Sequence, residues 1–397
     1  MTKRLVLMAA VLLTAFSLNA QNKSAGINFS LWKGISTQPA DTTQVTYLNL
    51  GVLSIMNKLH GVSINIIAST VKNNTYGVQV SGIANLSGNN MKGVQIAGIT
   101  NLTGNNMVGI AASGLVNIAG DQSKGILISG LGNITGDESK GIQLSGLLNM
   151  AGDQFSGIHV SGLANVVGGD LKGVGISGLS NVAGDNMNGI QVAGLLNVTG
   201  ENAEGIQIAG LVNVAGGKSS GLQLSTANLA NELKGVQIGL YNFYRKKSTG
   251  FQLGLVNANP NTRIQLMLFG GNATKINIAA RIKNQLYYTI LGAGTHYLDF
   301  SDKFSASAFY RAGLELPLYK KLYISGDLGF QHIELFNNEN ENTPARLYGL
   351  QARVNLEYKL SKRLGLFVTG GYGGSRYYNK SKTYDKGVIA EAGIILL

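Results

Sequence analysis

One strictly periodic stretch, Gly77 to Gly221, most constrains what this chain can fold into. A 16-residue unit recurs there without insertion or deletion, and the copy from Gly141 to Ser156 reads GIQLSGLLNMAGDQFS. Two further glycines and one asparagine return at the same spacing as the first glycine. A fixed period of this length is the signature of a solenoid or another repeat array, in which each unit repeats one structural element.

Within each unit, aliphatic residues flank a mostly polar one, as in Val78, Gln79 and Val80. This alternation predicts a strand with one face toward a core. Later copies, which begin at Gly235 and Gly250, lack the small residue before the second glycine. Because removing one residue from an uninterrupted strand would reverse its faces, we predict a bulge or a corner at the second glycine. We then expect the aliphatic residues and the asparagine to point inward.

Asparagines at one place in every coil can hydrogen-bond along a ladder, as they do in stacked cross-β structures. We therefore predict a structural ladder formed by Asn85, Asn101, Asn117, Asn133, Asn149, Asn165, Asn181, Asn197 and Asn213. The polar residue between the aliphatics is expected to face outward. The candidate binding face consists of Gln79, Gln95, Gln143, Gln191 and Gln207.

Two architectures fit the repeat. In a parallel β-solenoid, each coil stacks about 4.8 Å above the last. In a single wide antiparallel barrel, each repeat would be one strand and one turn, but such barrels carry aromatic girdles and unequal connections at their two rims. Only one aromatic residue, Phe155, lies between Gly77 and Leu240. The all-β solenoid is favoured, with the wide barrel as the alternative.

The start of the chain predicts export. Lys3 and Arg4 precede an apolar run from Leu5 to Leu18, and Ala20 follows, which is the pattern of a secretory signal peptide over residues 1–20. An exported chain does not meet chromosomal DNA, so we expect no nucleic-acid partner despite the net charge of +12. We assign 21–60 to an N-terminal capping segment and 61–258 to the solenoid.

Composition changes after the repeats, because fourteen of the 16 tyrosines lie from Tyr241 onward. Leu350, Ala352 and Val354 alternate with polar residues, which is typical of strands in an outer-membrane barrel. A soluble β-sandwich or barrel with one wet face is the alternative for 259–397. The candidate strands are 262–270, 274–283, 285–295, 304–316, 321–335, 345–359, 363–377 and 387–397.

The eight candidates suit closure of a barrel, and their connections alternate in length. Those at 318–320 and 360–362 are tight, whereas those at 336–344 and 379–386 are longer, which predicts a periplasmic C-terminus. Eight strands enclose only side chains or one small ligand. We expect a plug of paired charges formed by Arg311, Glu315, Asp327, Arg353, Glu357 and Glu391.

The sequence offers no catalytic, cofactor-binding or metal-binding constellation. It contains no cysteine, and its four histidines, among them His159, have no partner at metal-ligand spacing. We expect His159 to be an outward substitute for the usual glutamine. The one turn carboxylate per coil supplies too few oxygen ligands for calcium. We therefore expect no cofactor and no enzymatic activity.

The repeats at Gly189 to Gly200 and Gly205 to Gly216 resemble the surface-repeat proteins of Gram-negative bacteria. The resemblance is strong from Gly61 to Asn257 and implies an envelope or surface location without established enzymatic activity. The leading hypothesis is an outer-membrane structural or binding protein, with lipid and an unidentified polymer or protein as partners. The alternative is a channel or transporter that uses the repeats as barrel strands. The side of the membrane on which the repeats lie stays open.

Overall fold

The structure is a computed structural model that describes residues 26–32, 34–38, 44–284, 286–295, 298–299, 303–336, 346–378 and 385–396. The predicted signal peptide lies outside these residues. The chain divides into two compact units, one ending at Ser225 and the other beginning at Thr226. Within the described residues, no helix is long and apolar enough to cross a membrane.

The first unit is built from short strands. They are β1 (Ile27–Trp32), β2 (Ile35–Ser36), β3 (Val45–Met56), β4 (Lys58–Val71), β5 (Thr75–Ser81), β6 (Ala84–Ser87), β7 (Met91–Ala97), β8 (Thr100–Thr103), β9 (Met107–Ser113), β10 (Val116–Ala119), β11 (Ser123–Ser129), β12 (Gly132–Thr135), β13 (Ser139–Ser145), β14 (Leu148–Ala151), β15 (Phe155–Ser161), β16 (Ala164–Val167), β17 (Leu171–Ser177), β18 (Ser180–Ala183), β19 (Met187–Ala193), β20 (Leu196–Thr199), β21 (Ala203–Ala209) and β22 (Val212–Leu224).

Each repeat is one coil of a parallel β-solenoid. β13 pairs in parallel with β15, and β14 pairs in parallel with β16, so each residue lies beside its equivalent one repeat later. The register joins Gly141 to Gly157 and Asn149 to Asn165. The prediction of a solenoid is confirmed. The wide antiparallel barrel is wrong for these repeats, because their strands run in the same direction.

A corner separates the two strands of each coil at the second glycine, as predicted. In one coil, β5 ends at Ser81 and β6 begins at Ala84, so Gly82 and Ile83 form this corner. Corner backbones also bond from coil to coil, as the Ile99 amide donates to the Ile83 carbonyl oxygen at 2.9 Å. From Thr75 to Ala209 each coil is therefore a pair of strands with one corner at the second glycine and another in the polar turn.

The second unit begins with further parallel coils and ends in an antiparallel barrel. Its strands are β23 (Ala227–Leu233), β24 (Val236–Ile238), β25 (Tyr241–Ser248), β26 (Phe251–Leu253), β27 (Val256–Ala258), β28 (Arg263–Gly271), β29 (Ile276–Asn284), β30 (Tyr287–Thr295), β31 (Leu298–Asp299), β32 (Lys303–Tyr319), β33 (Leu322–Phe336), β34 (Arg346–Lys359), β35 (Leu364–Tyr377) and β36 (Asp385–Leu396).

The barrel is closed by eight strands, which confirms the predicted number. β28 pairs with β36, and β30 pairs with β32, while the two-residue β31 adds to the end of β32. The ends of these eight strands differ from the predicted ends by three residues or fewer. The alternation of apolar and polar residues located these strands, because successive residues of a barrel strand point alternately outward and into the barrel interior.

The two rims of the barrel differ in their connections. The rim where β28 starts, here called the short-turn rim, has connections at 285–286, 320–321 and 360–363. The two tight connections predicted from the sequence are therefore confirmed. The longer connections lie at the opposite rim, and residues 337–345 and 379–384 within them are outside the described residues.

Candidate functional site

The asparagines form a continuous ladder inside the coils. The side-chain amide of Asn149 donates to Oδ1 of Asn165 at 2.9 Å and to the carbonyl oxygen of Val160 at 2.8 Å. The same side-chain bond links neighbouring members from Asn85 to Asn213, at 2.9 to 3.0 Å. Because a buried amide costs free energy unless it is paired, this ladder fixes the register of adjacent coils.

The proposed binding face of glutamines is wrong. Gln79, Gln95, Gln143, Gln191 and Gln207 are all buried inside the coils. There two neighbouring pairs bond to each other, as Nε2 of Gln95 donates to Oε1 of Gln79 at 2.8 Å and Nε2 of Gln207 donates to Oε1 of Gln191 at 3.0 Å. Nε2 of Gln143 donates instead to the hydroxyl oxygen of Ser139 at 2.9 Å. These residues hold coils together and cannot contact a partner.

The aliphatic residues lie on the outside, contrary to the prediction. In one coil Leu144 is 37% exposed and Leu147 is 41% exposed, while Gln143 is 1% exposed. The prediction placed apolar side chains inside because water was assumed outside. Stacking relaxes that constraint, because most inner amides find a partner inside the stack, as Gln95 does in Gln79, and a paired amide can be buried at little cost.

His159 also lies inside, and the expectation that it faces outward is wrong. Its ring stacks on Phe155 with 3.9 Å between ring centroids. Gly175 takes the equivalent place in the next coil, where an added Cβ would lie 3.1 Å from Nε2 of His159. A glycine there makes room for the imidazole. Burial lowers the pKa of His159 from 6.5 to about 3.

We expect His159 to make the stability of its coil depend on pH. Between about pH 6.5 and pH 3 the unfolded chain binds a proton that the folded chain does not. The free energy of unfolding therefore falls as the pH falls through this window, by on the order of 5 kcal/mol, and levels off below it. His159→Gln should remove this dependence, measured by hydrogen exchange of residues 155–177 at pH 7 and pH 4 after correction for intrinsic rates.

His60 provides the control for this experiment, because it is exposed in the structure. His60→Gln should leave the pH dependence of residues 155–177 unchanged. If His159→Gln retains the same dependence as the parent chain, the buried imidazole is not its source.

The polar turns of the coils contain the acidic residues considered for calcium. Amide ladders continue there, as Nδ2 of Asn186 donates to Oδ1 of Asp170 at 3.0 Å, and this bond lowers the pKa of Asp170. Lys172 lies 3.8 Å from the same carboxylate. Among the described residues, no group of three or more potential ligands could hold a metal ion.

The barrel interior contains the charge network that the sequence suggested. Glu391 receives Nη1 of Arg311 at 3.3 Å, and Nε and Nη2 of Arg353 at 3.2 Å each. The Arg311 guanidinium also lies 4.7 Å from the ring centre of Phe309. All three charged groups are almost fully buried, so each depends on the others for compensation.

A second group of charges lies closer to the short-turn rim. Arg281, which the sequence analysis missed, contacts Glu357 at 2.8 Å and Glu315 at 3.3 Å through Nη1. Lys283 pairs with the other oxygen of Glu315. Arg281 alternates along β29 with Ala280 and Ile282, and this pattern could have identified it. The interior is filled by paired side chains at this level.

Asp327 accepts its hydrogen bonds from neutral side chains. The Tyr288 hydroxyl donates to Oδ2 of Asp327 at 2.9 Å, and Nδ2 of Asn355 donates to the same oxygen at 2.7 Å. Thr369 donates to Oδ1 of Asn355 at 2.6 Å and extends this chain of bonds. The six predicted plug residues all lie inside the barrel, but in separate groups.

A cavity at the short-turn rim has a basic lining that sequence analysis did not single out. Its volume is about 860 Å³, and it is lined by Arg263, Ile264, Lys321, Lys359, Ser361 and Lys362. Nζ of Lys359 lies 3.8 Å from the ring centre of Tyr323. The lysines in the two tight turns were the sequence feature that could have predicted this basic lining. The positive charge of this lining favours anions over cations at the rim.

No protein-family model matches the chain, and no curated protein matches it. Among solved structures, the crystal structure of Neisserial surface protein A (NspA) is similar to part of this chain. The two share 14% sequence identity, and the match covers 34% of this chain and 92% of the NspA chain with a TM-score of 0.23.

Proposed function

We propose that this chain is a non-enzymatic protein of the Gram-negative outer membrane, anchored by its barrel, with repeat coils that present a repetitive surface. The observation that carries the proposal is the polarity of the barrel. Its outer wall exposes Ile264, Leu328 and Val388 at 70% or more, whereas Arg353 and Glu391 are buried inside. A soluble barrel would bury aliphatic side chains in its interior and expose charged side chains on its outer wall.

The backbone of the barrel also suits a lipid environment. Within hydrocarbon every backbone amide and carbonyl needs a partner, and only a closed sheet provides one for every strand. Pairing of β28 with β36 supplies that closure. The amphipathic strands and the closed sheet therefore support membrane insertion by independent arguments.

We further propose that the short-turn rim faces the periplasm, because outer-membrane barrels have their short turns on that side. The coils that precede Arg263 then start from the periplasmic side. One of them contacts this rim, as the Tyr244 hydroxyl donates to Oδ1 of Asn284 at 3.3 Å. The basic cavity at the same rim would lie at the level of anionic lipid headgroups, which attract such residues.

The second partner in this proposal is an unidentified polymer or protein. The buried glutamines cannot provide its site, so such a partner would contact side chains that the coils expose. Membership of the surface-repeat family belongs to the same proposal and is supported by the repeat pattern from Gly61 to Asn257.

Fractionation of cells tests the proposal. We expect the full chain in the outer-membrane fraction, and faster migration in dodecyl sulfate gels before boiling than after it, because a closed barrel resists the detergent when cold. Protease added to intact cells should leave the repeats uncut, and permeabilised cells should lose that protection. A chain that stays in the soluble fraction and migrates identically before and after boiling would contradict the anchor.

A further inference from the structure

The coils of the first unit expose aliphatic side chains along the whole array. At the corner after each second glycine, one Ile or Leu per coil is 41 to 52% exposed. This apolar corner consists of Ile83, Ile99, Leu115, Leu131, Leu147, Leu163, Leu179, Leu195 and Leu211. Soluble monomers rarely expose contiguous apolar surface of this extent, which marks an interaction surface.

The apolar surface continues on both strands that meet at this corner. On the longer strand of each coil, Ile96, Ile128 and Ile176 are exposed. On the shorter strand, Leu102 and Met150 are exposed. The outer faces of the two strands of a coil point in opposite directions. A flat partner would therefore cover the aliphatic residues of only one strand.

Charge is confined to the opposite side of each coil. With the first glycine as position 1, every Lys, Asp and Glu between Gly77 and Gly221 occupies position 13, 14 or 16. This charged edge consists of Lys92, Asp121, Lys124, Asp137, Glu138, Lys140, Asp153, Asp170, Lys172, Asp185, Glu201, Glu204 and Lys218. The coils are therefore amphipathic, with one polar edge and an otherwise aliphatic exterior.

The coil backbone is compatible with an apolar surrounding. Strand groups pair with the coils above and below, and the corners do the same, as the Leu115 amide donates to the Ile99 carbonyl oxygen at 2.9 Å. Polar turns follow this rule too, since the Asn105 amide donates to the Asn89 carbonyl oxygen at 2.9 Å. Backbone satisfied in this way can enter hydrocarbon, whereas unpaired backbone cannot.

In the second unit, coil residues lie directly on the outer wall of the barrel. The Tyr310 hydroxyl donates to the Gly254 carbonyl oxygen at 2.8 Å, and the Thr289 hydroxyl donates to the Leu255 carbonyl oxygen at 2.9 Å. Tyr310 lies near the middle of β32, on the wall that the proposed function assigns to lipid. Leu253, in the same coil, is 46% exposed. An aliphatic coil surface is thus continuous with the barrel wall at mid-height.

We propose that the aliphatic exterior of the repeat coils binds lipid acyl chains, with the charged edge at the headgroups. This inference rests on the proposed function, because it requires the barrel to place the coils at a membrane. Lipid acyl chains fit this surface better than a folded partner does. A fluid layer of acyl chains can cover the outer faces of both strands and the apolar corner at the same time. Amphipathic elements with one charged side adopt this position in a membrane interface.

The absence of cysteine from the chain allows a direct test. Single nitroxide labels are placed at Leu147→Cys on the apolar corner, Asp137→Cys on the charged edge and Leu350→Cys on the barrel wall. The full-length variants are reconstituted in vesicles of phosphatidylethanolamine and phosphatidylglycerol. Power-saturation spectra then compare collisions with oxygen, which enriches in hydrocarbon, against a water-soluble nickel chelate. We expect a several-fold higher ratio of oxygen to nickel collisions at 147 and 350 than at 137.

The barrel label separates the two proposals. A high ratio at 350 with a low ratio at 147 would overturn lipid binding by the coils and leave the barrel anchor intact. Low ratios at both positions would overturn the anchor together with this inference. Spin–spin broadening at 147 that disappears on dilution with unlabelled chain, together with a low oxygen ratio, would show that a second copy covers the corner and would also overturn the inference.

Discussion

Gly141→Ala should lower the free energy of unfolding of the repeat array by more than about 4 kcal/mol. Losses of this size are exceptional among single substitutions and arise where the new side chain cannot be accommodated. Gly141 has a φ of +122°, which L side chains rarely adopt. An added Cβ would also lie 2.1 Å from the carbonyl oxygen of Gly125 in the preceding coil. Since that oxygen belongs to the backbone of a hydrogen-bonded stack, it cannot move without separating the two coils.

Gly132→Ala is the matched control, because it makes the same exchange within the same array. Other coils carry Val116, Leu148 and Ala164 at this position, and the nearest atom to an added Cβ is the Leu148 carbonyl oxygen at 3.2 Å. Both exchanges restrict the unfolded chain equally, so their difference reports the folded coil. Urea unfolding of the full chain, followed by circular dichroism and protease resistance, measures it. Equal losses for the two variants would contradict the steric argument.

The sequence was sufficient to predict the coil itself. An undisturbed 16-residue period requires equivalent residues to be stacked, and copies shortened before Gly239 and Gly254 showed where the strand must break. The barrel strands could be located because charged residues such as Arg353 and Glu357 alternate with Val354 and Leu356. In a small membrane barrel, charged side chains are favourable inside the barrel and unfavourable against lipid. The charged residues therefore showed which face of each strand points inward.

The inner and outer faces of the coils could not be predicted in the same way. Alternation distinguishes two faces but does not say which is buried, and the preference for apolar interiors gave the wrong answer for Gln143 and Leu144. The deciding factor is hydrogen bonding among inner polar side chains, with the equivalent residue of the next coil, as between Gln207 and Gln223 at 2.9 Å, or with a hydroxyl, as between Gln143 and Ser139 at 2.9 Å. His159 occupies the same inner position of the repeat, where its ring stacks on Phe155.

Glu391→Ala should destabilise the folded barrel by about 3–5 kcal/mol, the range for removing one partner of a buried ion pair. The exchange leaves both Arg311 and Arg353 without their carboxylate, and their side chains are 3% and 0% exposed. Neither guanidinium can release its proton at ordinary pH or reach solvent from inside the barrel. The folded fraction is measured from the difference in gel migration before and after boiling, over a series of urea concentrations in lipid vesicles.

Glu334→Ala provides the comparison, because Glu334 pairs with Arg346 on the barrel surface, where the arginine side chain is 68% exposed. Surface pairs contribute little, since water solvates each charge once its partner is removed. A large loss for Glu391→Ala with little change for Glu334→Ala would mean that the barrel interior excludes water and acts as a closed plug. Similar small losses would mean that water reaches Arg311 and Arg353, and the interior would then have to be reinterpreted as a hydrated passage. The same pair of variants therefore decides between an anchor and a channel for this barrel.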